Sequence, residues 1–467
     1  MKIIPPGKHM GKAAAVVAFL AAYAFFQFAY PYHLMRREQL NVFLYDWDYI
    51  GETYRGIGSI SRFAGDFVDQ FLFFPVIGPV LVALILTAIG ACVFRICRHG
   101  LGKWPSLGIA AIVFAWSFLR ETENQYLTQY SLATLGYLSL ILASLQFRKA
   151  SVKAVSAVLL LAAGALALGN PYNEYYGKLI GKPAILNEKI IALDVEASRG
   201  HWDKVADLSK TDYRVKEASY YYNLAEAVRG TLGSTMLNHS QDYANGLFLW
   251  VSDQVSQFTN GMAGEVWYNL GDMTLAEQSA IVALQASPKH TGARYLVRLA
   301  QITLITGEYG ASQKYLNMLA KTLNYRKWAL RMMPGNHDGK TEKWLAEARA
   351  KLPEKDIIYG RNEFRPILKG LLDANPDNML AREYLLCYDL MYFDLEAFMS
   401  DYRELMITGK HFEEAICIYL SMKNELSESA ASQYGVSRQT LGRLQQFSRN
   451  PDMQKNSYWY YYMQAME

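Results

Sequence analysis

The chain is 467 residues long, with 47 Lys and Arg against 43 Asp and Glu, 51% apolar residues and 19% charged ones. That length allows two or three domains, and the low charge points to membrane segments. Residues 1–169 carry 14 Lys and Arg against 8 Asp and Glu, a net +6, while residues 170–467 carry 33 against 35, a net −2. The soluble part therefore lacks the basic stripe that a nucleic-acid surface needs.

Five apolar runs occupy the first third, at about 13–30, 72–94, 105–119, 127–146 and 154–169. A bilayer core of ~30 Å needs ~20 such residues, so each is predicted to span, with 105–119 the shortest. The first run, behind Lys2, Lys8 and Lys12, also has the outline of a signal peptide. Its length exceeds an ordinary h-region and Ala22-Tyr23-Ala24 is a marginal cleavage site, so it is expected to stay as an anchor. The N-terminus and the loops 95–104 and 147–153 hold nine basic residues in about 29 positions; the alternate loops hold five in about 48. That asymmetry predicts a cytoplasmic N-terminus. An odd number of spans then places the rest, residues 170–467, outside the cytoplasm.

The first external loop carries Asp46, Asp48 and Glu52, followed by Gly65-Asp66-Phe67-Val68-Asp69. A carboxylate there can bind a divalent metal or act as a base. In this respect the loop resembles that of polytopic glycosyltransferases that use lipid-linked sugars. The resemblance implies catalysis by Asp46 or Asp48, with Glu52 nearby, although five spans are fewer than those enzymes use. The other reading is an interfacial amphipathic segment whose acids face water.

From about residue 183 the apolar spacing is helical, and the whole is expected to be all-α. Leu296, Leu299, Ala300 and Leu304 line one helix; Gly307-Glu308-Tyr309 turns; Tyr315, Leu316, Leu319, Ala320 and Leu323 line the next. Such pairs cannot bury their faces alone and stack on neighbours. Gly200-His201-Trp202 repeats the turn, and another helix opens after Pro376. In EVWYNLGDMTLAEQSAIVALQASPKH, Trp267, Leu270 and Gly271, with Ala283-Leu284 and Ser287-Pro288, resemble the tetratricopeptide (TPR) family. The turn from Gly271 to Ala276 is shorter than that family's. The resemblance implies an α-solenoid whose concave face binds peptides or proteins. There are 33 Tyr, and adjacent aromatics point around a helix, so some are expected on a groove or partner surface. The candidates are Tyr220, Tyr221, Tyr222, Trp267, Tyr268, Tyr309, Tyr458 and Trp459, which would otherwise be inter-helix core. The block LYDWDYIGETYRGIGSISRFAGDFVDQFLFFPVIGPVLVALIL with the closing SYWYYYMQ resembles an uncharacterised Bacteroidetes family of multi-pass membrane proteins. That implies an inner-membrane setting.

Cys92 and Cys97 sit where a disulfide is not expected. Cys387 and Cys417 could pair or remain buried thiols. No spacing suggests zinc, and no metal or cofactor is expected. Gly335-Asn336-His337-Asp338 spells part of a metallophosphoesterase site, but no Asp-x-His precedes it and only His411 follows. Pro334, Gly335 and Gly339 instead predict an exposed loop between a helix ending near Arg331 and one opening near Thr341. A P-loop ending at Gly339-Lys340-Thr341 would need Gly where Pro334 stands. The expected function is a membrane-anchored scaffold or adaptor that binds envelope or membrane proteins or peptides, with the lipid bilayer as its other partner. The alternatives are the glycosyltransferase-like enzyme and a subunit of a transport or export complex.

Overall fold

The computed structural model describes residues 10–123, 126–170, 185–210, 216–241, 243–249, 251, 256–353 and 363–466. Lys2, Lys8 and the stretch 171–184 that would join the two expected domains lie outside the described residues. Among the described residues every regular element is helical. The first eight helices are α1 (Met10–Ala24), α2 (Pro31–Gln39), α3 (Trp47–Thr53), α4 (Ser59–Asp69), α5 (Ile77–Cys97), α6 (Lys103–Glu121), α7 (Thr128–Ser144) and α8 (Ala150–Leu168). Then follow α9 (Ile185–Ser198), α10 (Trp202–Leu208), α11 (Lys216–Val228), α12 (Leu232–Thr235), α13 (Gln257–Leu270), α14 (Met273–Gln285), α15 (Ala293–Thr306) and α16 (Tyr309–Leu319). The rest are α17 (Arg326–Met332), α18 (Gly339–Arg349), α19 (Phe364–Ala374), α20 (Met379–Met391), α21 (Leu395–Leu405), α22 (Lys410–Met422), α23 (Glu428–Gln433), α24 (Arg438–Arg449) and α25 (Tyr458–Met466).

The chain divides into two compact units, and the division does not follow chain order. Unit one takes Met1–Ile191 with Ser287–Leu296 and Lys314–Met333; unit two takes Ala192–Ala286, Val297–Gln313 and Pro334–Glu467.

In unit one, α5 packs on α1, α6 and α7, and α4 and α8 pack on α7. Among the described residues three segments are long and apolar enough to cross a membrane: Gly11–Ala29, Ile77–Cys97 and Ala150–Leu168. Helices α6 and α7 stand where two further spans are predicted. However, α6 ends in the buried pair Arg120 and Glu121, and α7 is 17 residues long. The predicted second run starts too early. Phe74 is extended ahead of Pro75, whose ring disfavours helix in the preceding residue, so α5 opens only at Ile77.

Ala22, Phe26, Tyr30 and Leu34 recur every four residues and fill the core of this unit with Leu72, Val82, Ala83 and Leu86. In a regular α-helix a four-residue stripe drifts by ~40° per step. The five-residue π turn at Phe25–Ala29 lies midway along this stripe, and its wider winding counters the drift. Helices α4 and α7 approach through Gly65, where a Cβ would come within 2.7 Å of the Gln129 backbone nitrogen.

Unit two is a series of short helices joined by one recurring turn. One or two residues past the ends of α9, α11, α13, α20, α22 and α23 the chain takes positive φ, at Gly200 (74°), Gly230 (72°), Gly271 (96°), Phe393 (58°), Asn424 (57°) and Gly435 (76°). The next N–H then donates to the carbonyl five residues back. The pairs are His201 to Glu196, Thr231 to Glu226, Asp272 to Trp267, Asp394 to Asp389, Glu425 to Leu420 and Val436 to Ala431, at 2.8–3.1 Å. This is the Schellman closure, which satisfies carbonyls that a helix end leaves unpaired. Helix starts are as uniform. Ser256, Asp272, Asp338, Asn378, Asp394, Ser427 and Ser437 each accept the N–H three residues ahead.

Two of the turn glycines differ in their surroundings. A Cβ on Gly200 would meet nothing within 4 Å, whereas one on Gly271 would lie 2.5 Å from the Lys351 carbonyl oxygen. Gly200→Ala should therefore cost only the left-handed backbone term of ~1–2 kcal/mol. Gly271→Ala should cost clearly more, as read from unfolding midpoints of the two variants.

Candidate functional site

Four acids of the 31–71 loop, Glu38, Asp46, Asp66 and Asp69, are engaged in holding the structure together. Asp46 caps α3, accepting the N–H groups of Asp48 at 3.0 Å and Tyr49 at 3.1 Å. Its other carboxylate oxygen pairs with Lys321, whose hydrogen bond holds the Asp46 carboxyl below the usual carboxylate range. Asp48 and Glu52 are exposed on α3. Among the described residues no group of three His, Cys, Asp or Glu side chains is placed to hold a metal ion.

The functional signal in this unit lies in acids buried deeper. Arg37, on α2, donates to the Glu121 carboxylate at 2.7 Å, to the Glu121 carbonyl at 2.9 Å and to Thr128 Oγ1 at 3.2 Å. Thr128 in turn donates to Asp69, and Ser131 to the other oxygen of Glu121. One turn back on α4, Asp66 accepts Asn41 Nδ2 at 2.9 Å and Tyr54 Oη at 3.1 Å and pairs with Lys289. Nearby, Glu38 accepts Asn324 Nδ2 at 2.9 Å and Tyr325 Oη at 3.0 Å. Two backbone bonds join the same segments: Tyr45 N–H to the Lys321 carbonyl at 2.7 Å and Ala293 N–H to the Asn41 carbonyl at 3.3 Å. Segments 287–296 and 314–333 are thus fastened to the loop by its own carboxylates.

Burial sets the protonation of this network. Desolvation pushes the Asp69 carboxyl up to about 6, against the opposing pull of Arg37. Burial also pushes Glu188 up to about 8, although it accepts the N–H groups of Tyr32 and His33 at 2.6 and 3.1 Å. His33, buried beside Arg37, is held well below its ordinary value by desolvation and then by that charge. The cleft bordered by Glu38, Asn41, Asp66, Gln70, Asn324 and Tyr325 encloses about 10 Å³, too little for a substrate.

Most of the aromatic candidates are core. Tyr220, Tyr221 and Tyr222 are all buried. Tyr220 donates to the Met262 carbonyl at 2.6 Å, Tyr221 to Asp194, and Tyr222 to the Thr235 carbonyl at 3.1 Å. Trp267 stacks on Phe248 at 5.0 Å. Tyr458 bonds the Leu390 carbonyl at 2.8 Å and Trp459 the Glu414 carbonyl at 2.9 Å. Tyr268 is half-buried under the Arg298 guanidinium, 3.7 Å from its ring centre. Tyr309 alone of the eight is exposed, at 50%.

An aromatic surface does exist, one turn away from the predicted residues. Tyr392 and Met422 are 57% and 61% exposed. Between them Phe393 stacks on Tyr461 at 5.3 Å and meets Tyr462 at 5.8 Å, and Tyr462 Oη lies 3.8 Å from Met422 Sδ. Phe393 occupies the left-handed position of its turn, where four of the six equivalent turns use Gly. A bulky residue at positive φ is an outlier that costs free energy. Sequence reasoning singled out Tyr458 and Trp459 but not Phe393, because nothing local marks a Phe as a helix terminator.

The remaining motifs resolve as local structure. In the GNHD tetrad, Gly335 takes φ 87°, Asp338 caps α18 through Thr341 N–H at 2.8 Å, and His337 Nδ1 lies 2.8 Å from Glu342. The loop runs from Met332 to Gly339, as the breakers predict. Cys387 and Cys417 are buried free thiols, so the paired alternative is not the one found.

The network sets three expectations. Arg37→Met leaves Glu121 and Asp69 buried without their counter-charge and should cost about 3–5 kcal/mol. Asp46→Ala removes a helix cap and should lower the unfolding midpoint by less than Arg37→Met does. Between its unfolded value near 4 and its folded value near 6, Asp69 binds a proton only in the folded state. Its contribution to stability therefore falls as pH rises through that window and is flat above it. Thermal melts of Asp69→Asn across pH 4–7 should lack this part of the slope.

No curated protein and no solved structure matches the chain. The model of one family covers nearly all of it, in two segments, residues 8–175 and 173–465; the chain belongs to that family of unknown function, DUF6057.

Proposed function

We propose that this protein is a membrane-anchored scaffold, whose helical-repeat part is a TPR-like superhelix that binds envelope proteins on the periplasmic side of the inner membrane. In this reading α1, α5, α6, α7 and α8 are the five spans, and the basic loops 95–104 and 147–153 face the cytoplasm. The observation that carries it is Phe393. An exposed turn keeps a strained aromatic where Gly would be more stable, and surrounds it with Tyr392, Tyr461, Tyr462 and Met422. Aromatic and Met side chains at a rigid turn are what a protein-binding hot spot is made of. The glycosyltransferase reading has less support, because Asp46 is committed to a helix cap and to Lys321.

A photo-crosslinking residue placed at Tyr392 or Met422 in native membranes should yield discrete adducts with a second protein, and one at the exposed Asp377 should not. Phe393→Gly should keep or raise the melting temperature and yet abolish those adducts. Adducts that survive Phe393→Gly, or that fail to form at both positions, would remove this surface from the proposal. Loss of cellular function in Asp48→Asn with adducts intact would favour the enzyme. An impermeant maleimide should reach His201→Cys from the periplasm, and protection from it would reverse the orientation.

A further inference from the structure

We infer that the basic end of the helical bundle in unit one holds an anionic phospholipid, with an acyl chain in a groove between α1, α5 and α6. The groove has a volume of about 610 Å³ and is bordered by Ala14, Ala15 and Ala18 of α1, Ala91 of α5, and Ala110 and Ala111 of α6. Small side chains on three facing helices carve this space, and two aromatics prop it open. A Cβ on Gly11 would lie 3.2 Å from the Phe94 ring, and one on Gly90 would lie 3.6 Å from Phe114. Left without matter inside, such a void forfeits the dispersion contacts of its whole lining, so within a bilayer it takes up the apolar chains around it.

Its mouth selects among them. Lys12, Arg95, Arg98 and Lys103 border the groove, and among the described residues no Asp or Glu does. Four cations around an apolar slot match a phosphate headgroup joined to an acyl chain, as basic pockets between spans do elsewhere. The bias of basic residues toward one membrane face explains their presence in this loop. It does not explain the void beside them. The assignment is independent of which way the bundle faces and of the scaffold reading.

The test uses the full chain in nanodiscs of equal phosphatidylglycerol and phosphatidylcholine, released into the gas phase for native mass spectrometry. Phosphatidylglycerol should be retained in preference to phosphatidylcholine. In Arg95→Gln/Arg98→Gln that preference should fall by a factor on the order of 10 or more, since one basic residue near an anionic lipid is worth about fivefold. Ala111→Trp, which fills the groove, should lose the retained lipid at unchanged helix content. If that variant does not fold, the arginine variant still decides. Equal retention of both lipids by the natural sequence would overturn the proposal, as would a preference that survives the arginine changes. A disulfide between two copies through Ala111→Cys would place a second chain in the groove and overturn it equally.

Discussion

Arg37 is the constraint around which unit one is organised. A guanidinium buried at the end of a helical bundle is tolerated only if its donors and its charge are both met. Glu121 supplies the counter-charge from the end of α6, its carbonyl takes a second donor, and Thr128 takes a third from the start of α7. That requirement fixes where α2, α6 and α7 end relative to one another. Asp69 is then drawn in through Thr128, which brings α4 along and with it Asp66. Asp66 and its neighbour Glu38 are the acids that hold Lys289, Asn324 and Tyr325. A single buried cation thus propagates order from the apolar helices to two short segments that lie more than two hundred residues further along the chain.

The same network explains why acids near an apolar helical bundle are poor evidence of catalysis by themselves. A catalytic carboxylate needs one face open to substrate and a protonation state tuned to its task. Asp69 has the second property, raised by burial, but its oxygens face Thr128 and Asn41. Asp48 and Glu52 have the first, exposed on α3. The arrangement of Asp46, Asp66 and Asp69, each held by a partner from elsewhere in the unit, is that of a clasp.

The helical character of the chain was legible in the sequence because it depends on local periodicity and on Gly, Asp, Asn and Ser at the right places. Gly271 followed by Asp272 can be read as the end of one helix and the cap of the next, and it is. The PGNHDGK loop was legible for the same reason. Whether a given aromatic faces the core or solvent was not legible. Tyr220, Tyr221 and Tyr222 point in three directions around α11, which suggests exposure, yet α11 packs on α10, α12 and α20 and all three directions are interior. The pairings of Arg37 with Glu121 and of Asp66 with Lys289 were out of reach as well. They join residues 84 and 223 positions apart, and no local pattern records such a distance.

Phe393 shows how a recurring turn can acquire a surface without changing its backbone. In the six equivalent turns the closure is the same, with the N–H of the following residue returning to the same carbonyl. Gly is the least costly residue there, because it alone meets no Cβ penalty at positive φ. A side chain at that position leaves the helix end where no neighbour in its own helix can cover it. The strain of one left-handed Phe is therefore exchanged for an aromatic ring held outside the helical stack by the rigid turn itself, against Tyr461 and Tyr462 on α25. Asn424 takes the same position two helices later with a polar group. The turn backbone is shared by both; what distinguishes the aromatic surface is the residue placed on it.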